Sequence, residues 1–132
     1  VIVADASVVL SALLLDGRAG DVARNALLSD DVHAPHLVDV EVTSAIRRRV
    51  LAGDLGPDGA RASLRDLADL AITRHAHEPL LERVLDLRDS MSAHDASYVA
   101  LAETLGGAVV TADARLSRAP GARCPVRLLS AS

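Results

Sequence analysis

The sequence predicts an α/β domain, a parallel sheet covered on both faces by helices. Two observations carry this. Short runs made wholly of apolar residues alternate along the chain with stretches of helical period. Strands of that kind, without the apolar/polar alternation of a half-exposed strand, are the ones a parallel sheet buries on both sides. Half of the 132 residues are also hydrophobic, enough for one domain over 1–132 with a real core.

Taken in order, Val1-Ile2-Val3-Ala4 reads as a buried strand ending at Asp5. Ser7 opens an apolar helix through about Leu15, and Asp16 to Gly20 reads as a loop. Val22, Ala23, Ala26 and Leu27 share one face of a second helix running to about Ser29. Val32 to Ala34 is a short strand stopped by Pro35. Leu37 to Leu51 is a helix, with Val38, Val42, Ala45 and Ile46 on one face and Gly53 at its end. Pro57 starts a helix with Ala60, Leu64, Leu67 and Ala71 on its apolar side. Ala71 to His75 fits a strand, and Pro79 starts a helix through about Arg88. Ser92 caps a helix to Leu105, which Gly106-Gly107 stops. Ala108 to Thr111 is another buried strand, ending at Ala112-Asp113. A short helix from Ala114 to about Arg118 and a strand from Pro125 to Leu129 complete the chain. No internal repeat, linker or low-complexity segment interrupts this order.

Composition excludes several chemistries. All fourteen basic residues are arginine. Without lysine there is no Walker-type phosphate loop, no Schiff-base enzyme and no Ser/Lys hydrolase. There is no Phe or Trp, and Tyr98 is the sole tyrosine, so the core is aliphatic and a nucleic acid would bind without stacked aromatics. The net charge of -4 means that such a partner needs local arginine or bound cations. Cys124 is the sole cysteine, which rules out an internal disulfide and suits a reducing compartment. No apolar run reaches the roughly 18 residues of a membrane span, and no basic signal-peptide start precedes the first strand. The expectation is a cytoplasmic protein without a membrane segment, whose Val1 follows a trimmed initiator Met or was itself written by the start codon.

The acids carry the chemistry. Asp5 and Asp113 each follow a strand, and in open parallel sheets ligands bind at the carboxyl ends of strands where the strand order switches. Asp95 lies in the first turn of its helix, with Val99, Ala102 and Leu105 following at helical spacing. Glu41 is an acid on the apolar side of its helix, with Val38 three before it and Ala45 four after it. Each has an ordinary structural reading: Asp5 and Asp113 as N-caps, Ser92 to Asp95 as a capping box, Glu41 as a partner of the helix dipole. Taken jointly, four acids approach one cleft with no lysine to neutralise them. Two like charges about 4 Å apart repel by about 4 kcal/mol at an effective dielectric of about 20. A divalent cation relieves this, and an all-oxygen ligand set selects Mg²⁺ or Mn²⁺.

Asp5-Ala6-Ser7 after an opening strand, an acid in the helix after Pro35, Asp95 to Ala102, and Thr111-Ala112-Asp113 after a strand together resemble a PIN domain, and more narrowly the VapC-type toxins of toxin–antitoxin pairs. His94 stands before the third acid, where such proteins usually carry Tyr. The resemblance implies a three-layer fold with a central parallel sheet of about five strands. It implies an endoribonuclease that leaves 5′-phosphate and 3′-hydroxyl ends, a cognate VapB-like antitoxin that blocks the site, and a homodimer. Asp5 and Asp95 would ligate Mg²⁺ (or Mn²⁺) directly; Asp113 and Glu41 would complete the ligand set, hold a second ion or orient its water.

Ser7 and Thr111, next to acids in sequence, are expected to hydrogen-bond ligands or waters, or else to serve as a helix cap and a strand end. Arg88, just upstream of the Asp95 helix, is a candidate for RNA phosphate. Arg47-Arg48-Arg49 reads either as a phosphate contact or as a solvated helix face. The five histidines show no zinc spacing. Two other functions compete: a phosphotransfer fold with clustered aspartates, which normally needs a lysine at its site, and a catalytically silent PIN-like module that binds RNA or protein.

Overall fold

In the computed structural model, which describes residues 1–130, five strands form one parallel sheet in the order β3-β2-β1-β4-β5. Positions 131 and 132 of the expected domain lie outside the described residues. The strands are β1 (Ile2–Ala4), β2 (Val32–Pro35), β3 (Ile72–His75), β4 (Ala108–Thr111) and β5 (Val126–Leu128). The helices are α1 (Ala6–Leu14), α2 (Gly17–Leu28), α3 (Leu37–Leu51), α4 (Pro57–Asp69), α5 (Leu81–Asp86), α6 (Ala93–Leu105) and α7 (Ala114–Ser117).

The chain builds outward from β1 through β2 to β3, then returns to the other side of β1 with β4 and β5. The strand order therefore switches between β1 and β4, where the sequence reading put the ligand cleft. Every residue of β1 and β4 is buried, as their unbroken apolar runs require. α6 packs across β1, β2 and β4, while α1 packs on β4 and against α2, α3 and α4, giving three layers. α6 is apolar nearly all round, with Ala96 to Ala102 all buried. No helix of the described residues is long and apolar enough to cross a membrane.

Beside one-residue shifts at strand ends, such as β2 running through Pro35 to pair with His75, three segments differ from the sequence reading. Asp16 to Gly20 is not a loop, because α2 begins at Gly17. The reversal needs one residue in the left-handed region, and Gly17 supplies it at φ 74°; Arg18, Ala19 and Gly20 are then free to be helical. Gly20 faces the end of α1, where any Cβ would run into the Leu15 carbonyl oxygen. Arg24 uses that closeness, donating from Nη1 to the carbonyls of Ala12 and Leu15, each at 3.0 Å, and so satisfies the open end of α1. The segment from Pro79 is a 3₁₀ turn, Glu78–Leu80, followed by the short α5, so Arg88 lies beyond the helix. α4 stops at Asp69, which leaves Ala71 exposed before β3 rather than on the buried face.

This packing gives a stability prediction. Gly20→Ala should destabilise the fold by about 1–3 kcal/mol although alanine is the better helix former. Gly59→Ala in α4, where the new Cβ would approach only the flexible tip of Leu55 at 3.2 Å, should be neutral or stabilising. Urea unfolding of the two variants checks the contrast.

Candidate active site

The register of β1 on β4 sets the centre of the site. Ala4 pairs with Val110, and the Asp5 N–H donates to the Val110 carbonyl at 3.1 Å. The next position on β4, Thr111, therefore lies beside Asp5, and its hydroxyl donates to Asp5 Oδ2 at 2.6 Å. Ser7, in the first turn of α1, donates to Oδ1 at 2.5 Å. The Val8 N–H donates to the same oxygen at 3.2 Å, so Asp5 is also the N-cap of α1. Only 7% of Asp5 is exposed. Burial pushes its carboxyl above the ordinary carboxylate range; the three donors offset part of that, and the charge of Asp95 adds to it.

Ser7 and Thr111 tie β4's exit to the same point. The Ser7 hydroxyl accepts from the Ala112 N–H at 2.9 Å, and Thr111 Oγ1 accepts from the Asp113 N–H at 2.9 Å. These bonds fix the turn that carries Asp113, whose Oδ1 then caps α7 by accepting from the Arg115 N–H at 2.9 Å. Asp95 is set by the start of α6, where the Ser92 hydroxyl accepts from the Asp95 N–H at 3.2 Å.

Glu41 comes from α3, which is fixed at its start by two polar contacts. The Leu37 N–H donates to His77 Nε2 at 2.8 Å. Arg74 on β3 grips Asp39 through both carboxylate oxygens at 2.8 and 2.9 Å. Tyr98, buried in α6, donates its hydroxyl to Glu41 Oε1 at 2.5 Å. Burial, then the bond to Glu41 and the charges of Glu41, Asp5 and Asp95, push the Tyr98 hydroxyl far above its ordinary value. Tyr98 thus stays a donor, and the charges of three of the four acids act on its hydroxyl.

The fourth is joined by a residue the sequence reading missed. Arg115 Nη2 donates to Asp95 Oδ2 at 3.0 Å and to Asp113 Oδ2 at 3.1 Å. The Asp95 carboxylate, with Asp113 beside it, holds this guanidinium above its ordinary value. The chain has no lysine to neutralise the acids, but Arg115 does so for two of them; it stands two residues after Asp113 on the first turn of a helix, and that spacing was the available signal. Arg88, by contrast, donates to the Leu85 carbonyl at the end of α5; among the described residues the cation in contact with the acids is Arg115. Arg47, Arg48 and Arg49 are all exposed, the solvated helix face. His94 is exposed beside Asp95. His33 and His75 pair with each other at 2.8 Å and His33 with Asp31 at 2.9 Å, a structural chain at the β2–β3 edge.

As placed, the acids do not close round one ion: among the described residues no group of three or more His, Cys, Asp or Glu side chains stands in an arrangement that holds a metal. Their oxygens bond instead to Ser7, Thr111, Tyr98 and Arg115. The donor set itself is four carboxylates from four elements, hard oxygen ligands of net negative charge, and in its chemistry it suits a hard divalent cation.

The sequence and the fold both have relatives. Residues 2–122 match the family model described as PIN domain. Ribonuclease VapC9 of Mycobacterium tuberculosis is 45% identical over 97% of this chain and 98% of that protein. Ribonuclease VapC1 of the same species is 41% identical over 96% of each. The crystal structure of Mycobacterium tuberculosis VapC20, described as a Sarcin-Ricin loop cleaving toxin, superposes with a TM-score of 0.70 at 17% identity, covering 89% of this chain and 93% of that one. With its strand order, its acids at the β1/β4 switch and these relatives, the chain belongs to the PIN-domain family, among its VapC-type members.

Proposed function

We propose that this protein is an Mg²⁺- or Mn²⁺-dependent endoribonuclease, the toxin of a VapBC-type pair, inhibited by a cognate antitoxin. The observation that carries the reading is the gathering of the acids at the topological switch of the sheet: Thr111 bonds Asp5 and the Asp113 N–H, Arg115 bridges Asp113 and Asp95, and Tyr98 holds Glu41 from the same helix that carries Asp95. The relatives named as ribonucleases support the reaction class. A cytoplasmic homodimer fits the same reading, and apolar side chains left exposed on α3 and α5, among them Val40, Leu51, Leu81 and Leu85, offer surface for an antitoxin or a second copy.

Asp5 and Asp95 would hold the cation, with Asp113 and Glu41 completing the set. When bound, such an ion lowers the pKa of a coordinated water and stabilises charge on a phosphodiester under in-line attack. The chain's own residues supply the rest. Ser7 and Thr111 keep Asp5 oriented at the end of β1. Tyr98 takes one oxygen of Glu41 and leaves Oε2 as an acceptor for a water. The missing aromatic platform fits recognition through phosphate and RNA shape rather than base stacking.

RNA cleavage should need Mg²⁺ or Mn²⁺ and stop with EDTA, and Asp5→Asn or Asp95→Asn should abolish it in a folded protein. Full activity in either variant contradicts the assignment, and RNA binding that persists unchanged without any cleavage in the wild type favours the silent module. Tyr98→Phe should cost about 10- to 100-fold in rate, because it frees Glu41 without removing it; gel-based cleavage assays of the folded variant give the number.

Burial of Asp5 also predicts a pH dependence. Its folded pKa lies above the ordinary value of 3.8, so between the two the folded protein holds a proton that the unfolded chain has lost. Stability from this group is full below the unfolded pKa and declines as pH rises through the folded one. Without divalent cations, the urea midpoint of the wild type should fall relative to that of Asp5→Asn as pH rises through the acidic range. A difference independent of pH contradicts the burial of this carboxyl.

A further inference from the structure

Arg115 is the one charged group in the site that the proposed reaction leaves without a role. A single nitrogen, Nη2, bonds to carboxylates from two elements: Asp95 on α6, and Asp113 at the β4–α7 junction. The Arg115 backbone is fixed at the first turn of α7 by the Asp113 cap, so the guanidinium is tethered close to both acids. Yet the side chain is 65% exposed, and among the described residues the guanidinium bonds to these two carboxylates alone. Exposed ion pairs of this kind are weak and open easily.

The oxygens it occupies, Asp95 Oδ2 and Asp113 Oδ2, belong to two of the acids assigned to the cation. A divalent ion and a guanidinium at the same pair of oxygens repel each other and compete for the same lone pairs. We propose that Arg115 is a tethered counterion, which neutralises Asp95 and Asp113 when no divalent cation is bound, is displaced by that cation, and so sets how tightly the site holds it. This rests on the cation-dependent reading above. Arg115 is in this account a positioning residue. It keeps two like charges together in the unloaded protein and gives the loaded site a competitor that weakens ion binding.

The test is direct Mn²⁺ binding, read from the EPR signal of the free ion, for the wild type, Arg115→Gln and Arg115→Lys, each checked for folding by thermal melting. Arg115→Gln should bind Mn²⁺ roughly three- to tenfold more tightly than the wild type, and Arg115→Lys should stay within about twofold because it keeps the charge. In a parallel NMR titration of the wild type with Mg²⁺, the Arg115 guanidinium protons, assigned by their loss in Arg115→Gln, should exchange faster with water as the pair opens. Equal or weaker Mn²⁺ binding by Arg115→Gln, beside normal binding by the wild type, overturns the counterion role and leaves the cation-dependent reading standing. Guanidinium protons that stay protected at saturating Mg²⁺ overturn it as well. No Mn²⁺ binding by either protein removes the cation-dependent reading itself, and the counterion with it.

Discussion

Ala4 pairs with Val110, and the site depends on what that register does to the next residue of each strand. It brings the Asp5 carboxylate against the Thr111 hydroxyl inside the protein, where a charge without partners would be costly. Three donors meet that cost locally: Ser7, Thr111 and the Val8 N–H. The same hydroxyls bond onward to the N–H groups of Ala112 and Asp113. Orienting the buried acid and shaping the turn that carries the next acid are thus one hydrogen-bond network. A one-residue slip of β4 would break both, and would also turn the buried faces of its side chains over.

The outer acids follow from the inner one by different means. Asp113 is fixed by the turn and caps α7, Asp95 by the Ser92 cap of α6, and Glu41 by α3 and the Tyr98 hydroxyl. Four elements converge on one end of the sheet, each anchored by contacts of its own. Charge balance is shared in the same way. Hydroxyls serve Asp5 and Glu41, and a guanidinium bridges Asp95 and Asp113. In both arrangements the partners of the carboxylates are the chain's own side chains and N–H groups.

Much of this was legible in the sequence because it depends on local pattern. The unbroken apolar runs at 2–4 and 108–111 marked strands buried on both faces. The acids following them pointed to the carboxyl edge of the sheet, and Ser92, three residues before Asp95, marked the start of α6. The less legible parts depend on contacts between distant segments. Asp16 to Gly20 carries the composition of a loop, but Gly20 is there so that α2 can press on the Leu15 carbonyl, which only the folded pair of helices reveals. Tyr98 stood out as the sole tyrosine, but the partner of its hydroxyl, 57 positions away, could not be named from spacing. Arg115 belongs to no dense basic run, and its reach to Asp95 spans 20 positions and exists only once α6 and α7 meet.

The central claim is that these four carboxylates form a divalent-cation site. Anomalous diffraction from crystals of the protein grown with Mn²⁺ tests it most directly. The account predicts an anomalous peak among Asp5, Asp95 and Asp113 that is absent from Asp95→Asn crystals grown in the same way. Wild-type crystals with no peak there at saturating Mn²⁺, and with Arg115 still bridging Asp95 and Asp113, would contradict it.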